Sequence, residues 1–130
     1  MIEALAHILG RSEEERLIAQ IGALLHDLGK IHTVGAKSPR PLSPSHFRHE
    51  SQTLLLVAKH LNDLHQHAPC EAMLLNHVLD RLASSRSSMD SKFIGEDLIR
   101  HADYLSAANH ASKSMVDVMK ANINWLKKYK

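Results

Sequence analysis

Apolar residues recur every three or four positions in all the long segments of this 130-residue chain. That spacing places apolar side chains on one face of an α-helix, whereas a half-buried strand would need strict alternation. Residues that favour strands are sparse, while Leu and Ala, which favour helices, are abundant. The pattern predicts an all-α fold: a compact bundle of five to six helices, forming one domain over residues 1–130.

Capping residues predict where the helices begin and end. Ser12 followed by Glu15 has the spacing of a capping box, and Gly29 is typical of a helix end. These residues predict a helix that starts at Ser12 and ends at Gly29. Further helices are expected over Met1–Leu9, from near Ser45, from Pro69, and twice after the polar loop Ser84–Ser91.

A long connection is predicted between the second and third helices, because three of the four prolines fall between Gly29 and Pro44. Long ordered connections often carry functional residues. The segment beside this connection is therefore the first place to look for a functional site.

Composition restricts the setting of the protein. The net charge is only +2, which provides no overall field to attract nucleic acid. The lone Cys70 cannot form an internal disulfide and fits a reducing compartment, and the apolar segment Met1–Gly10 is too short to span a membrane. We expect a soluble, cytoplasmic protein without a membrane partner. Eleven dispersed histidines, the commonest metal ligands, point instead to metal binding.

The segment Ala23–Lys30 reads ALLHDLGK, so His26 and Asp27 come at the end of a strongly apolar helix. A carboxylate near a helix C-terminus faces the negative end of the dipole and needs compensation, which a divalent cation supplies. Adjacent helical residues point about 100° apart, but their side chains can converge at a fraying last turn. An isolated His–Asp pair would more often be solvent-exposed; the whole segment favours a cation site.

Asp103 lies in the segment Leu98–Ala108, LIRHADYLSAA, where it interrupts a predicted apolar face. Burial of an unpaired carboxylate costs several kcal/mol, so a partner for Asp103 is expected. The partner is either a metal ion or, at the surface, a salt bridge to Arg100 or His101. The residues of the predicted apolar face are Leu98, Ile99, Ala102, Leu105 and Ser106.

Together, the two segments resemble the HD superfamily of metal-dependent phosphohydrolases. ALLHDLGK closely resembles the family signature, and LIRHADYLSAA looks like its closing helix; the resemblance covers roughly residues 2–108. It implies an all-helical fold and a metal held by a histidine, a His–Asp pair and a distant aspartate. On this chain it assigns metal binding to His26, Asp27 and Asp103. Catalytic roles are expected for Asp27, Lys30 and Asp103.

Two further histidines, His49 and His77, are candidate metal ligands. Superfamily members with two metals place extra histidines between the His–Asp pair and the last aspartate. These two would complete one candidate per helix, as a site at the centre of a bundle requires. His46 competes with His49 for this role. Three other histidines are expected at the surface: His65, His67 and His101.

Lys30 follows the His–Asp pair within the first motif. Its ammonium could meet a phosphate oxygen as a point charge beside the metal. Alternatively, Lys30 is a lysine at a helix C-terminus that offsets the dipole. Both interpretations remain open at the level of the sequence.

The chain departs from the family in one respect. The first histidine of the family normally lies about thirty residues before the His–Asp pair, which here falls before Met1, and His7 is only nineteen residues upstream of His26. Either the chain is a fragment that lacks the start of its first helix, or His7 or water fills the position, or the metal site is impaired.

The activity implied by the resemblance is hydrolysis of a phosphate ester with one or two divalent ions, such as Mn²⁺, Mg²⁺, Fe²⁺ or Ni²⁺. A bound metal lowers the pKa of a water ligand and polarises the phosphoryl oxygen, while Asp27 or Asp103 could orient that water. The expected substrate is a phosphorylated small molecule, such as a nucleotide, or a nucleic acid.

Two settings and one alternative follow from the resemblance. RHESQ together with HADYLSAA is similar to HD domains attached to conjugative relaxases and, less closely, to the HD nucleases of CRISPR systems. Either setting would make the chain part of a DNA-processing protein. The alternative to these settings is a stand-alone nucleotide phosphohydrolase, since fold alone does not fix function. A second class of function is a non-catalytic HD module for regulation or interaction, which the missing upstream histidine favours and the intact His26–Asp27 pair, Lys30 and Asp103 oppose.

Overall fold

The computed structural model describes residues 1–33, 49–84, 94–110 and 114–129. Within these ranges the regular structure is entirely helical, which confirms the all-α prediction. Six of the described helices are long enough to belong to a bundle, and α3 is a single turn. The helices are α1 (Ile2–Ile8), α2 (Glu13–Leu25), α3 (Lys30–Thr33), α4 (His49–His67), α5 (Pro69–Ala83), α6 (Gly95–His110) and α7 (Met115–Leu126).

The predicted capping box at the start of α2 is confirmed. The Glu15 backbone N–H donates to the Ser12 hydroxyl over 3.2 Å, and the Ser12 backbone N–H donates to the Glu15 carboxylate over 3.2 Å. Gly10, with a φ of 64°, precedes this start and lets the chain reverse from α1 into α2. Helix α1 and helix α2 therefore form a hairpin, in which the start of α1 lies beside the end of α2.

Helix α2 ends at Leu25, one turn earlier than the predicted end at Gly29. Beyond Leu25 the backbone closes tighter turns, with the N–H of Leu28 bonded to Leu25 and that of Lys30 bonded to Asp27. These bonds to the third preceding residue replace the α-helical pattern, and the chain then enters α3. The predicted start of the third helix near Ser45 lies outside the described residues, as does most of the predicted connection and of the loop 84–91.

Helix α2 lies at the centre of the bundle and contacts α1, α5 and α6. One core cluster joins residues of α2, α4, α5 and α6: Ile18, Val57, Leu75, Val78, Leu79, Leu82 and Ile99. The second joins α1, α2, α6, α7 and Ile94 just before α6: Leu5, Ala6, Ala19, Ile94, Leu98 and Trp125. Each fully buried large apolar side chain contributes about 1.5–3 kcal/mol, so the packing of both clusters holds the end of α2 in place.

The corner between α5 and α6 is fixed by polar contacts. The Arg100 guanidinium donates to the backbone carbonyls of Arg81 (2.8 Å) and Ser84 (3.0 Å), which lie at the C-terminus of α5. Glu96, only 4 % exposed, pairs with the Arg81 side chain at 3.7 Å. These contacts satisfy carbonyls that a helix end leaves unbonded, and they set the position of α6, which carries Asp103.

His101 was expected at the surface, and this expectation is wrong. The side chain is 7 % exposed and stacks flat on Trp125, with ring centroids 4.3 Å apart and an angle of 3° between the rings. Its Nε2 atom lies 2.9 Å from the Asn122 Oδ1 atom. Helix α7 covers this side of α6, and no motif in the last part of the sequence predicted that packing.

Helix α7 is also tied to α6 at its far end, where the Tyr129 hydroxyl donates a hydrogen bond to the Asp97 carboxylate. Burial, followed by the bond to Asp97, raises the pKa of Tyr129 above its ordinary value.

No helix in the described ranges has the length and apolar character needed to cross a bilayer.

We predict that Arg100→Met lowers the free energy of unfolding by about 1–3 kcal/mol, because it removes the charged donor from the carbonyls at the end of α5 and leaves the Arg81 carbonyl only its bond from the Ser84 hydroxyl. Chemical denaturation followed by circular dichroism measures this change. The exposed Lys59→Met on α4 serves as control and should stay within about 0.5 kcal/mol of wild type. Equal stability of both variants would show that the guanidinium contacts do not hold the corner.

Candidate functional site

The turn after α2 carries the first candidate residues, and α4 and α6 bring the others to it. His26 is the C-cap of α2, Asp27 follows in the turn, and Lys30 begins α3. His49 is the first residue of α4 and Asp103 lies midway along α6. The site is therefore assembled from segments far apart in the sequence.

Thr53 attaches the turn to α4. Its fully buried hydroxyl accepts a hydrogen bond from the Gly29 backbone N–H (2.8 Å) and lies 2.9 Å from the His26 carbonyl oxygen. The His49 carbonyl, 3.1 Å away, is a second possible acceptor for the single hydroxyl proton. The sequence analysis missed Thr53, because one threonine on a helix face gives no signal of its partners.

Gly29 is required by the close approach of this turn to α4. A Cβ atom at Gly29 would fall on the His49 carbonyl oxygen and lie 2.8 Å from the Thr53 backbone nitrogen. Both neighbours are backbone atoms, which cannot move aside without shifting the helix. Gly29 therefore does more than end a helix. Because it has no side chain, the first turn of α4 packs against the turn after α2 and brings His49 beside the His–Asp pair.

The orientation of His26 is determined by the end of α2. Its Nδ1 atom lies 2.6 Å from the Ala23 carbonyl oxygen, and since a carbonyl only accepts, Nδ1 carries the proton. Nε2 then faces the carboxylates of Asp103 (3.0 Å) and Asp27 (3.4 Å). In the neutral ring Nε2 presents a lone pair to these oxygens, so a proton or a metal ion is needed between them.

Asp27 is surrounded by nitrogen atoms. Its Oδ2 atom lies 2.6 Å from the Lys30 ammonium, and its Oδ1 atom lies 3.1 Å from His49 Nε2. Burial alone would raise the pKa of Asp27, but the hydrogen bond from Lys30 and the charges of His26, Lys30 and His49 together hold it below its usual value. Asp27 is accordingly a carboxylate at neutral pH.

Asp103 was expected on a buried apolar face, and this expectation is wrong, because its side chain is 59 % exposed. The buried stripe of α6 is formed by Leu98, Ile99 and Ala102, and Asp103 lies about 100° further round the helix. The predicted need for a partner is met by His26, whereas Arg100 and His101 bond to α5 and α7 instead.

The other histidines singled out from the sequence lie apart from these contacts or outside the described residues. His77 is exposed on α5, and none of the described contacts of the site involves it, so its proposed ligand role gains no support. His7 lies near the turn of the α1–α2 hairpin, at the opposite end of α2 from His26. His65 and His67 are exposed as expected, and His46 lies outside the described residues.

The donor types fit a metal ion, but the donors do not surround one point. Adjacent donors are 3.0–3.4 Å apart, in the order Asp103, His26, Asp27, His49. Ligands bonded to a metal at about 2.0–2.2 Å are separated by about 3.0–3.4 Å, and a mixed imidazole and carboxylate set suits a divalent ion. Over the described residues, however, no group of three or more His, Cys, Asp or Glu side chains is arranged to hold an ion.

The Lys30 ammonium lies against the Asp27 carboxylate, where a metal ion could otherwise bind. In a comparison with protein families, the HD domain model matches residues 1–108. This chain belongs to the HD domain family. Comparisons with curated proteins and with solved structures gave no match.

The match ends at Ala108 in α6, so α7 lies outside the region that this chain shares with the family. It is a match to the HD domain as a whole, so it does not distinguish a relaxase or CRISPR-type setting from a stand-alone protein. Family membership fits hydrolase chemistry on phosphate esters, although HD domains can also be non-catalytic.

A cleft of about 570 Å³ opens beside Asp103 in this HD domain. It lies between the start of α1, the second half of α2, and α6, and its walls are largely apolar. The lining residues are Met1, Ile2, Glu3, Gln20, Ala23, Leu24, Ala102, Asp103 and Ser106. The cleft is adjacent to the candidate metal ligands and lies within the usual size range of ligand pockets.

We predict that Gly29→Ala destabilises the HD domain by more than about 3 kcal/mol, because the new methyl group meets backbone on both sides. Gly10→Ala is the matched control: its positive φ costs about 1–2 kcal/mol, but nothing lies within 4 Å of the added carbon. Urea denaturation compares the two variants. A smaller loss for Gly29→Ala than for Gly10→Ala would contradict the close approach.

Proposed function

We propose that this HD domain is a metal-dependent phosphohydrolase that acts on a nucleotide-sized phosphate ester. The observation that carries the proposal is the hydrogen bond from His26 Nδ1 to the Ala23 carbonyl. Histidines that bind metals commonly donate their other ring N–H to a carbonyl or carboxylate, which fixes the tautomer and the ring orientation. Here that bond directs Nε2 towards two carboxylates.

The proposed ligands are His26 Nε2, the carboxylates of Asp27 and Asp103, and His49 Nε2. A bound divalent ion such as Mn²⁺, Mg²⁺, Fe²⁺ or Ni²⁺ would supply an activated water and polarise the phosphoryl oxygen. Asp103, the most exposed of the four side chains, is suited to orient a water, because one of its oxygens contacts His26 and the side chain is open to solvent. We propose one ion, since His77 does not join these donors.

The phosphate group would bind on the Lys30 side of the site and the organic group in the cleft beside Asp103. Among the described residues that line the cleft, Glu3 and Asp103 supply carboxylates and none is a lysine or arginine. Such a surface disfavours a polyanion and favours an organic group that carries hydrogen-bond donors, such as a nucleobase. We therefore favour a mononucleotide over a nucleic acid.

We also propose a cytoplasmic location, which suits the exposed free thiol of Cys70.

A non-catalytic HD module is the second candidate, and one observation favours it. The described His, Cys, Asp and Glu side chains are not arranged in a group that could hold an ion. In this case the pairs His26–Asp103 and Lys30–Asp27 would be structural contacts that join the turn to α6 and to α3. The two candidates differ in whether a metal binds at these residues.

A metal titration separates the two candidates. We predict that Mn²⁺ or Ni²⁺ raises the Tm of wild type by several degrees, since a hundredfold excess over Kd stabilises the folded state by about 2.7 kcal/mol. Asp103→Ala should abolish most of the rise, and His65→Ala, on the exposed side of α4, should keep it. If wild type and Asp103→Ala respond identically across the titration, the metal site proposal is wrong and the non-catalytic module is the better account.

Nucleotide hydrolysis tests the role of the cleft. We predict that Gln20→Leu raises the KM for nucleotides by about fivefold to tenfold, the effect of one lost hydrogen bond, and leaves kcat nearly unchanged. p-Nitrophenyl phosphate, which lacks a base, is the control substrate and should be hydrolysed equally by both proteins. Faster cleavage of an oligonucleotide than of mononucleotides by wild type would contradict the proposed substrate class.

A further inference from the structure

Lys30 makes the closest ion pair of the candidate site. Its Nζ atom lies 2.6 Å from Asp27 Oδ2, while Asp27 Oδ1 is engaged by His49 at 3.1 Å. Both carboxylate oxygens of Asp27 are therefore occupied by side chains of this chain. A metal ion can use Asp27 Oδ2 only if the ammonium moves away.

We propose that Lys30 is an internal substitute for the metal ion: its ammonium neutralises Asp27 in the metal-free protein and is displaced when an ion binds. The inference rests on the proposed metal site and deepens it by naming what the ion must displace. The Lys30 pair takes only one side of the Asp27 carboxylate: Oδ2 is held by Lys30, while Oδ1 lies 3.4 Å from His26 Nε2 and 3.1 Å from His49 Nε2, so an ion that uses the whole carboxylate must displace the ammonium.

The displacement requires only a side-chain rotation. The Lys30 backbone N–H is bonded to the Asp27 carbonyl at 2.9 Å, which keeps the two residues in one turn. The Lys30 side chain is 46 % exposed and sits on a flexible four-carbon stem, so the ammonium can move into solvent without any change in the backbone. The turn itself stays attached to α4 through Thr53.

Competition for Asp27 lowers the affinity for the metal. An ion that displaces Lys30 loses the free energy of the Lys30–Asp27 pair, and the ammonium left nearby repels the ion. Because exposed ion pairs are weak, the combined effect is about threefold to tenfold in Kd. Removal of the charge at position 30 should therefore tighten metal binding, although it also removes a stabilising contact from the metal-free protein.

Displacement also gives Lys30 a second partner. Once released from Asp27, the ammonium lies beside the metal site and can bind a phosphate oxygen as a point charge. Lys30 would thus bind Asp27 first and the phosphate afterwards. The ion and inorganic phosphate should consequently bind with positive coupling, each raising the affinity for the other by the same factor. A lysine that only offsets the helix dipole would add nothing to the coupling that direct contact between phosphate and the ion produces.

Isothermal titration calorimetry on the full chain tests the proposal with Mn²⁺, and with inorganic phosphate on the protein with and without Mn²⁺. For Lys30→Met we expect Mn²⁺ to bind about threefold to tenfold more tightly than to wild type. We also expect the coupling between Mn²⁺ and phosphate to be weaker than in wild type, because only the direct contact between phosphate and the ion remains. Lys59→Met, which removes an exposed charge from α4, should match wild type in both measurements.

The possible outcomes separate this inference from the proposed function. If Mn²⁺ binds Lys30→Met no more tightly than it binds wild type, the substitute-cation inference is overturned while the metal site stands. If Mn²⁺ binds neither protein, both proposals fail. Should Lys30→Met not fold, as judged by its circular dichroism spectrum, Lys30→Gln provides the same removal of charge with a polar side chain.

Discussion

The approach of the Gly29 backbone to the first turn of α4 is the constraint on which the candidate site depends. It allows the buried Thr53 hydroxyl to bond to the turn, and it brings His49 over Asp27. Without this contact the His–Asp pair would lie on a free helix end, where nothing would hold two imidazoles near one carboxylate. The placement of two imidazoles beside the Asp27 carboxylate therefore depends on a backbone packing distance.

Packing farther from the turn completes the site. Helix α2 buries small residues on the side that faces α6, and a Cβ atom at Gly22 would lie 3.0 Å from side-chain carbons of Ile99 on α6 and Val78 on α5. This close packing, together with the capping of α5 by Arg100, places Asp103 within reach of His26. Because the helices approach through small residues, a methyl group at Gly22 would require the Ile99 and Val78 side chains to give way by a few tenths of an ångström.

The sequence predicted the helical fold well, because apolar spacing and capping signals are local properties. Ser12 and Glu15 form the predicted capping box, and Pro69 lies in the first turn of α5 as predicted. The motif resemblance identified His26, Asp27 and Asp103, whose side chains lie together in the structure. Contacts between segments could not be predicted in the same way. The burial of His101 depends on α7, and the exposure of Asp103 depends on how α6 rotates against α2, neither of which a single-chain pattern encodes.

The stack of His101 on Trp125 gives the protein a built-in optical probe. The chain contains one tryptophan, so all indole fluorescence originates at the contact between α6 and α7. His101 lies two residues before Asp103 on α6, so a change in the position of α6 would alter the surroundings of the Trp125 indole. Helix α7, outside the region shared with the family, can thus report on events at the shared site.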